Sequence, residues 1–177
     1  MKEKVESSEN INKKIIFFDE GRFGTMTTIK RKWSLKGSKC EIKVKQGYSN
    51  FYSFSGVCPL TGEMFSLLLP KVNTEMMNLY LEKLSSKFKG EKIVLIMDNA
   101  GWHKSKRLKV PKNIEIEYLP PYSPELNPVE RLWKWLKENT IHNRIFLNIE
   151  ELYEAVCMEL KKLTCIKIME LCRCNYL

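Results

Sequence analysis

Two short apolar runs, each followed directly by an aspartate, place the strongest constraint on how this chain folds. The first run covers residues 15–18 and precedes Asp19; the second covers residues 93–97 and precedes Asp98. Short unbroken apolar runs are typical of strands that are buried on both faces of a sheet. The sequence therefore predicts two central strands of one sheet, each ending in a carboxylate.

The remaining elements are predicted from the spacing of apolar and β-branched residues. Further strands are expected at residues 26–33, which include Trp33, and at 48–57, 63–69 and 114–118. Apolar residues at helical spacing predict helices at residues 74–88, from Val129 onwards, and at 149–163. Gly21 and Gly24 are expected to end the first strand, and the prolines of residues 120–124 to form a rigid extended connector. The pattern predicts a mixed α/β sheet with helices packed on it.

Composition excludes several classes of protein. The 177 residues contain six cysteines with no Cys-x-x-Cys pair and only two histidines, which argues against a disulfide scaffold and against a zinc finger. Apolar runs are far shorter than the roughly 18 residues of a membrane helix, and the charged N-terminus does not resemble a secretory signal. We expect a cytoplasmic protein, associated with the nucleoid in a bacterium. The net charge of +9 favours polyanionic partners.

The two predicted strand-end aspartates are candidates for a metal site. Adjacent strands lie about 4.8 Å apart, so Asp19 and Asp98 can face each other across a small gap. Neighbouring carboxylates repel, which raises one pKa or requires a cation, and Mg²⁺ or Mn²⁺ suits oxygen ligands. The alternative is that each aspartate merely ends its strand as a turn residue.

A third acid is needed, and Glu130 is the candidate. On a helical wheel it lies at the edge of the apolar stripe that begins at Val129, on the same side as Lys134 and Lys137. From spacing alone a structural role is favoured, because Asn127 and Glu130 resemble the two ends of a capping box. Glu125 is a competing acid.

Three segments resemble the signature segments of DDE transposases of the Tc/mariner superfamily, most closely its bacterial insertion-sequence branch. They are Ile-Ile-Phe-Phe-Asp-Glu-Gly-Arg-Phe-Gly at 15–24, Ile-Val-Leu-Ile-Met-Asp-Asn-Ala-Gly-Trp-His at 93–103, and Leu-Pro-Pro-Tyr-Ser-Pro-Glu-Leu-Asn-Pro-Val-Glu-Arg-Leu-Trp at 119–133. The third is the most specific, and the resemblance covers roughly residues 13–147.

This resemblance implies a ribonuclease H-like fold, a mixed five-stranded sheet flanked by helices with the third strand at an edge. It implies Asp19, Asp98 and Glu130, rather than Glu125, as catalytic carboxylates that bind two Mg²⁺ or Mn²⁺ ions. It also implies cleavage and strand transfer of DNA, with transposon ends and target DNA as partners and a homodimer or higher oligomer on DNA. The expected organisation is a flexible segment at 1–13, a catalytic domain at 14–147, and a C-terminal helix and tail at 148–177.

The sequence departs from the family pattern at its start. No helix-turn-helix reader of element ends fits before residue 15, so we expect the catalytic part of a split, frameshifted or truncated transposase, with a helix-turn-helix half encoded separately. Fewer residues separate Asp98 from Glu130 than is typical of the superfamily. Two alternatives stay open: a catalytically inactive DNA-binding fragment, and a stand-alone ribonuclease H-like nuclease.

Basic clusters around residues 30–45 and 104–112 predict contacts to DNA phosphates, the alternative being a solvated face. Trp102 and His103 follow Asp98 closely and are candidates for contacts to a base or phosphate; His103 could instead orient a water molecule, and Trp102 could pack under a loop. Trp133 is assigned to the core. The candidate DNA-binding residues are Lys30, Arg31, Lys32, Trp102, His103, Lys104, Lys106, Arg107, Lys134 and Lys137.

Overall fold

The computed structural model describes residues 13–31, 33–38, 41, 43–99 and 105–174. Five strands and four α-helices are formed by these residues. The strands are β1 (Lys13–Gly24), β2 (Asn50–Val57), β3 (Met64–Leu69), β4 (Lys92–Met97) and β5 (Ile114–Tyr118). The helices are α1 (Thr74–Lys87), α2 (Val129–Thr140), α3 (Ile149–Lys162) and α4 (Cys165–Leu171), and a short 3₁₀ turn (Pro124–Leu126) precedes α2.

The strands form one mixed sheet in the order β3-β2-β1-β4-β5. β1, β2 and β3 pair antiparallel, whereas β1–β4 and β4–β5 pair parallel. β3 is an edge strand and the apolar strands β1 and β4 lie in the centre. The predicted ribonuclease H-like fold is therefore confirmed.

Each face of the sheet buries its own apolar core, because successive residues of a strand point to opposite faces. On one face α1 packs against β1 through residues such as Phe18, Tyr80 and Leu84, all fully buried. On the other face α2, α3 and α4 pack against Phe17, with Leu132 and other side chains in the contact. The last two helices thus complete the second core layer.

Side-chain caps start the helices where the sequence supplies them. The Asn73 side chain accepts a hydrogen bond from the Met76 backbone N–H at 2.9 Å at the start of α1. At the start of α3, Asn148 accepts from the Glu151 N–H at 2.8 Å, and the Glu151 carboxylate accepts from the Leu147 N–H at 2.7 Å. Asn148 is thus the N-cap residue of α3, and Glu151 bonds to the residue that precedes the cap.

Two strand predictions are wrong. β1 does not end at Asp19 but continues through Gly21 to Gly24, because residues 17–24 pair with the whole of β2. Residues 26–31 and 33 form no strand. The backbone N–H groups of Thr25 and Thr27 donate to the carbonyls of Ser49 and Lys45, but these isolated bonds do not extend into a strand pair among the described residues. Trp33, expected to pack in that strand, is 99% exposed.

The proline-rich connector is also not fully extended. It turns at residues 121–122, where Tyr122 has a φ of 57°, and its side chain is fully exposed. A positive φ is uncommon for a bulky residue. The turn returns the chain from the end of β5 to the start of α2.

Candidate active site

Asp19 and Asp98 lie at the same level of two adjacent parallel strands. Phe17 of β1 is the register partner of Ile96 of β4, and each aspartate stands two residues further along its own strand. Pairing between β1 and β4 stops at this level, while β1 goes on alongside β2. Ligands in α/β sheets bind in crevices of this kind, where strands part at their carboxyl ends.

Glu130 comes to the same place on the first turn of α2. The turn before it is fixed to β1 by Asn127, whose side-chain amide donates to the Phe18 carbonyl at 3.0 Å and whose side-chain oxygen accepts from the Val129 N–H at 3.2 Å. Because Phe18 directly precedes Asp19, this buried amide sets the position of α2 relative to the first carboxylate.

The predicted capping box between Asn127 and Glu130 is not formed as expected. The Asn127 backbone N–H, which a capping-box glutamate would accept, donates instead to the Pro124 carbonyl at 2.9 Å. Asn127 lies one position before the N-cap residue Pro128. The Glu130 side chain is exposed to the cleft rather than folded back on the helix start.

The three carboxylates line one cleft of about 380 Å³. Asp19, Asp98 and Glu130 come from β1, the end of β4 and α2, and the opposite wall is formed by the connector from Leu119 to Pro124. Asn99 and Asn127 complete the lining. Glu125, the competing acid, is not among the lining residues.

Burial makes Asp19 the most perturbed carboxylate of the cleft. Desolvation, with the nearby charges of Glu130 and Glu20, raises the pKa of Asp19 to about 7, although hydrogen bonds from Trp133 and from the Glu20 backbone oppose the shift. A half-buried carboxylate beside a second acid is poorly stabilised as an anion unless a cation is present. The cleft is therefore electrostatically suited to positive charge.

Oxygen donors from carboxylates are the ligand class that Mg²⁺ and Mn²⁺ prefer. Among the described residues, however, no three acidic, histidine or cysteine side chains stand close enough to enclose one metal ion. The donor chemistry of Asp19, Asp98 and Glu130 thus fits a hard divalent cation, with the three groups on the walls of an open cleft rather than closed on one point.

The predicted DNA-contact residues fall on different sides of the sheet. Lys134 and Lys137 lie on α2, beyond Glu130. Lys106 and Arg107 lie in a segment held to α1, because the Asn78 side chain donates to the Arg107 carbonyl at 3.2 Å. Lys106, Arg107 and Lys134 are exposed, and Lys137 is half-buried.

The segment between β1 and β2 carries two further candidates. Arg31 is exposed, but the Lys30 ammonium pairs with the Glu138 carboxylate at 2.5 Å and its backbone N–H donates to Asn143. Lys30 thus ties this segment to the end of α2. Four candidates lie outside the described residues: Lys32, Trp102, His103 and Lys104.

Sequence patterns missed a polar role for Trp133. The prediction that its ring belongs to the core is confirmed, since it is 3% exposed. Its indole N–H also donates to the Asp19 carboxylate at 2.9 Å. Gly21 was taken as a strand breaker, whereas it lies directly under the Trp133 ring. A glycine inside a strand is a known signal of close approach, so this contact could have been suspected.

The model of the DDE superfamily endonuclease family matches residues 14–153. An uncharacterized protein, y4pE/y4sA, from Sinorhizobium fredii (strain NBRC 101917 / NGR234) is 43% identical over 113 residues, covering 63% of this chain and 84% of the relative. The insertion element IS630 uncharacterized 39 kDa protein from Shigella sonnei is 26% identical over 129 residues, which cover 70% of this chain and 38% of that relative.

Solved structures with the same fold include a pre-cleavage Mos1 transpososome, at a TM-score of 0.74 and 12% identity over 97% of this chain and 55% of that one. The catalytic domain of Mos1 mariner transposase matches at a TM-score of 0.65 and 12% identity, covering 97% and 80%. This chain spans about half the length of the Mos1 chains in the transposon complexes. No helix within the described ranges has the length and apolar character needed to cross a membrane.

Proposed function

This chain belongs to the DDE superfamily of endonucleases, and we propose that it is the catalytic domain of a metal-dependent DNA transposase of the mariner and insertion-sequence type. The observation that supports this most is the convergence of Asp19, Asp98 and Glu130 on one cleft from three separate elements. These are the residues that the sequence motifs single out. The insertion-element relative and the Mos1 fold match point to the same type of enzyme.

Asp19, Asp98 and Glu130 would hold Mg²⁺ or Mn²⁺, two ions being expected. Paired-end complexes of Mos1 have been solved with Mn and with Mg. Bound between such carboxylates, divalent ions supply activation of the attacking oxygen and stabilisation of the leaving oxygen in phosphodiester displacement.

The chain's own residues supply the frame for that chemistry. β1 and β4 fix the two aspartates side by side, and the Asn127 bonds fix the start of α2, so that Glu130 faces them. The Asp19 carboxylate is held by the Trp133 indole and by the Glu20 backbone N–H. Ser123 is the one serine or cysteine among the described residues that line the cleft, and its hydroxyl donates to the Pro121 carbonyl at 3.3 Å.

DNA is assigned to the open side of the cleft. Lys134 lies one turn beyond Glu130 on α2, and we assign it a contact to a DNA phosphate. The fully exposed ring of Tyr122 stands at the rim formed by the connector and offers a stacking surface for an unpaired base. Phosphate contacts of this kind give affinity without sequence preference.

Recognition of element ends is assigned to a helix-turn-helix part outside this catalytic unit. Cleavage and transfer of two ends to one target further imply a homodimer or higher oligomer on DNA. A paired-end complex of Mos1 transposase has been solved with its left transposon end.

Nicking of supercoiled plasmid in Mn²⁺ at low salt tests the proposal, with Glu130→Gln compared with Glu125→Gln. Both changes remove one negative charge from neighbouring exposed glutamates, but only Glu130 lines the cleft. We expect Glu130→Gln to abolish nicking and Glu125→Gln to nick like the parent. Equal activity of both variants, or EDTA-resistant nicking, would overturn the assignment. No nicking by any of the three proteins would favour the inactive DNA-binding fragment.

A further inference from the structure

The Trp133 side chain packs its ring in the core and hydrogen-bonds to a carboxylate of the cleft through its indole N–H. Its ring is 3% exposed and packs edge-on against Phe23, with ring centroids 6.0 Å apart at 77°. Its Nε1–H nevertheless leaves the core and donates to Oδ2 of Asp19 at 2.9 Å. The contact joins α2, which carries Glu130, to the strand that carries the first carboxylate.

The sheet under this ring is made of small residues. Asp19 is the register partner of Ser55, and Gly21 is the partner of Ser53, so these four residues face α2 together. A Cβ atom on Gly21 would lie 2.8 Å from Cδ2 of Trp133. The flat indole therefore packs directly on these small residues, and a larger side chain at Gly21 would occupy the space that the ring takes.

The hydroxyls of Ser53 and Ser55 have hydrogen-bond partners of their own. Ser53 and Ser55 hydrogen-bond to each other at 3.1 Å, and Ser55 bonds to Ser66 of the edge strand at 2.6 Å. The Asp19 carboxylate accepts a hydrogen bond from the Trp133 indole N–H. The small residues thus leave room for the indole ring, and the indole N–H donates the hydrogen bond to Asp19.

An indole N–H is suited to orienting a carboxylate that must bind a cation. It donates one hydrogen bond and carries no formal charge, unlike lysine or arginine, which would neutralise the carboxylate. By fixing Oδ2, it leaves the rest of the carboxylate to face the cleft that Asp98 and Glu130 also line. Groups that orient metal ligands in this way typically change metal affinity or activity by about 10- to 100-fold when removed.

We propose that Trp133 is a positioning residue that holds the Asp19 carboxylate in its ligand orientation through the indole N–H. Trp133 and Glu130 lie three residues apart on α2. The packing of this helix turn against Gly21 therefore fixes the position of Glu130 relative to Asp19. This inference rests on the proposed metal-dependent function, and it adds a residue outside the carboxylate triad.

The first test compares Trp133→Phe with Trp135→Phe, a tryptophan two residues along the same helix that packs against the same core. Nicking rates are measured against Mn²⁺ concentration, and thermal unfolding is followed without metal. We expect Trp133→Phe to raise the half-saturating Mn²⁺ concentration about 10- to 100-fold while high Mn²⁺ restores much of the rate. Trp135→Phe is expected to match the parent.

A second variant separates the hydrogen bond from the shape of the ring. β-(3-Benzothienyl)alanine at position 133 replaces the indole N–H by sulfur and keeps the bicyclic outline. It is expected to unfold at the parent temperature and to show the same shift in Mn²⁺ dependence as Trp133→Phe. A parental Mn²⁺ dependence in this variant would overturn the proposal, since a purely structural ring would behave in that way.

The contact itself is tested without metal or DNA by ¹⁵N–¹H spectra of the indole groups. Trp133→Phe identifies the Trp133 signal, and Asp19→Ala should shift that signal upfield while leaving the Trp135 signal in place. If no protein nicks DNA but the signal shifts, the proposed function fails and the contact stands. If the parent nicks and the signal does not respond to Asp19→Ala, the positioning role fails alone.

Discussion

Gly21→Ala is the substitution that most sharply tests the packing of α2 on β1. The added Cβ would lie 2.8, 2.9 and 3.0 Å from Cδ2, Cε3 and Cε2 of Trp133, whereas ordinary carbon contacts begin near about 3.5 Å. The ring must therefore retreat by roughly 0.7 Å. Because Trp133 is buried in the core, it can retreat only by moving α2 away from the sheet.

Two effects follow from that displacement. Overpacking of this kind costs about 1–3 kcal/mol of unfolding free energy, which corresponds to a fall in Tm of roughly 2–4 °C per kcal/mol for a chain of this size. The same shift lengthens the 2.9 Å bond from the indole to Asp19 toward about 3.5 Å, where hydrogen bonding is lost. Metal-dependent nicking should then fall by about 10-fold or more.

Gly24→Ala is the matched control, on the same strand. A Cβ there would meet the Ser49 carbonyl oxygen at 3.5 Å and Cβ of Asn50 at 3.7 Å, which are ordinary contacts. We expect its unfolding free energy to stay within about 0.5 kcal/mol of the parent. Urea unfolding and plasmid nicking of both variants provide the assay. If Gly21→Ala matched Gly24→Ala in both measurements, the close packing of Trp133 on β1 would be refuted.

Three further predictions concern the Asn127 side chain, the buried Asp19 carboxylate and the basic surface. Asn127→Ala removes the bond to the Phe18 carbonyl and the bond from α2, and should cost about 1–3 kcal/mol in urea unfolding. Asp19 has a pKa raised by burial to about 7, against 3.8 for an ordinary aspartate. The metal-free protein should therefore lose about 3 kcal/mol of stability as pH rises from 4 to 7, and Asp19→Asn should remove that loss. Lys134→Ala should reduce the salt dependence of DNA binding by about one counterion, whereas Lys30→Ala should change it less.

Each of these three has a result that would contradict it. An unchanged urea midpoint for Asn127→Ala would mean that the Asn127 side chain does not hold the start of α2 against β1. A parent and an Asp19→Asn variant with parallel stability curves between pH 4 and pH 7 would mean that the carboxylate is not desolvated. Anisotropy titrations at several salt concentrations that gave Lys30→Ala the larger effect would show that its pairing with Glu138 does not occupy its ammonium.

The apolar runs predicted the two central strands and placed Asp19 and Asp98 near their ends, whereas the choice of Glu130 over Glu125 came from the family resemblance and not from spacing. Asp98 does follow β4, and Asp19 lies level with it. The extra strand at 26–33 was wrong because threonine, isoleucine and aromatic content records suitability for a sheet, not the presence of a partner strand. The same limit explains the course of β1, which continues past Gly21 because β2 lies beside it.

The polar link to Asp19 lay beyond sequence reasoning for a different reason. The apolar stripe of α2 correctly assigned the Trp133 ring to the core, but periodicity does not say where the indole N–H points. Asn127 shows the same gap, since the capping pattern predicted a bond within the helix start, whereas the amide reaches the Phe18 carbonyl 109 residues away in sequence. Contacts between distant segments arise only when the fold brings them together.

Strand cleavage by the parent and by Asp98→Asn, measured together with DNA binding, tests the central claim most directly. Asp98 lies exposed at the cleft, so its replacement by an isosteric amide should leave the core packing intact. With Mn²⁺ at low salt, we predict that the parent nicks supercoiled plasmid and that Asp98→Asn does not, while both bind duplex DNA with similar affinity. Nicking by Asp98→Asn at the parental rate would contradict the assignment of the carboxylate cleft as the catalytic site.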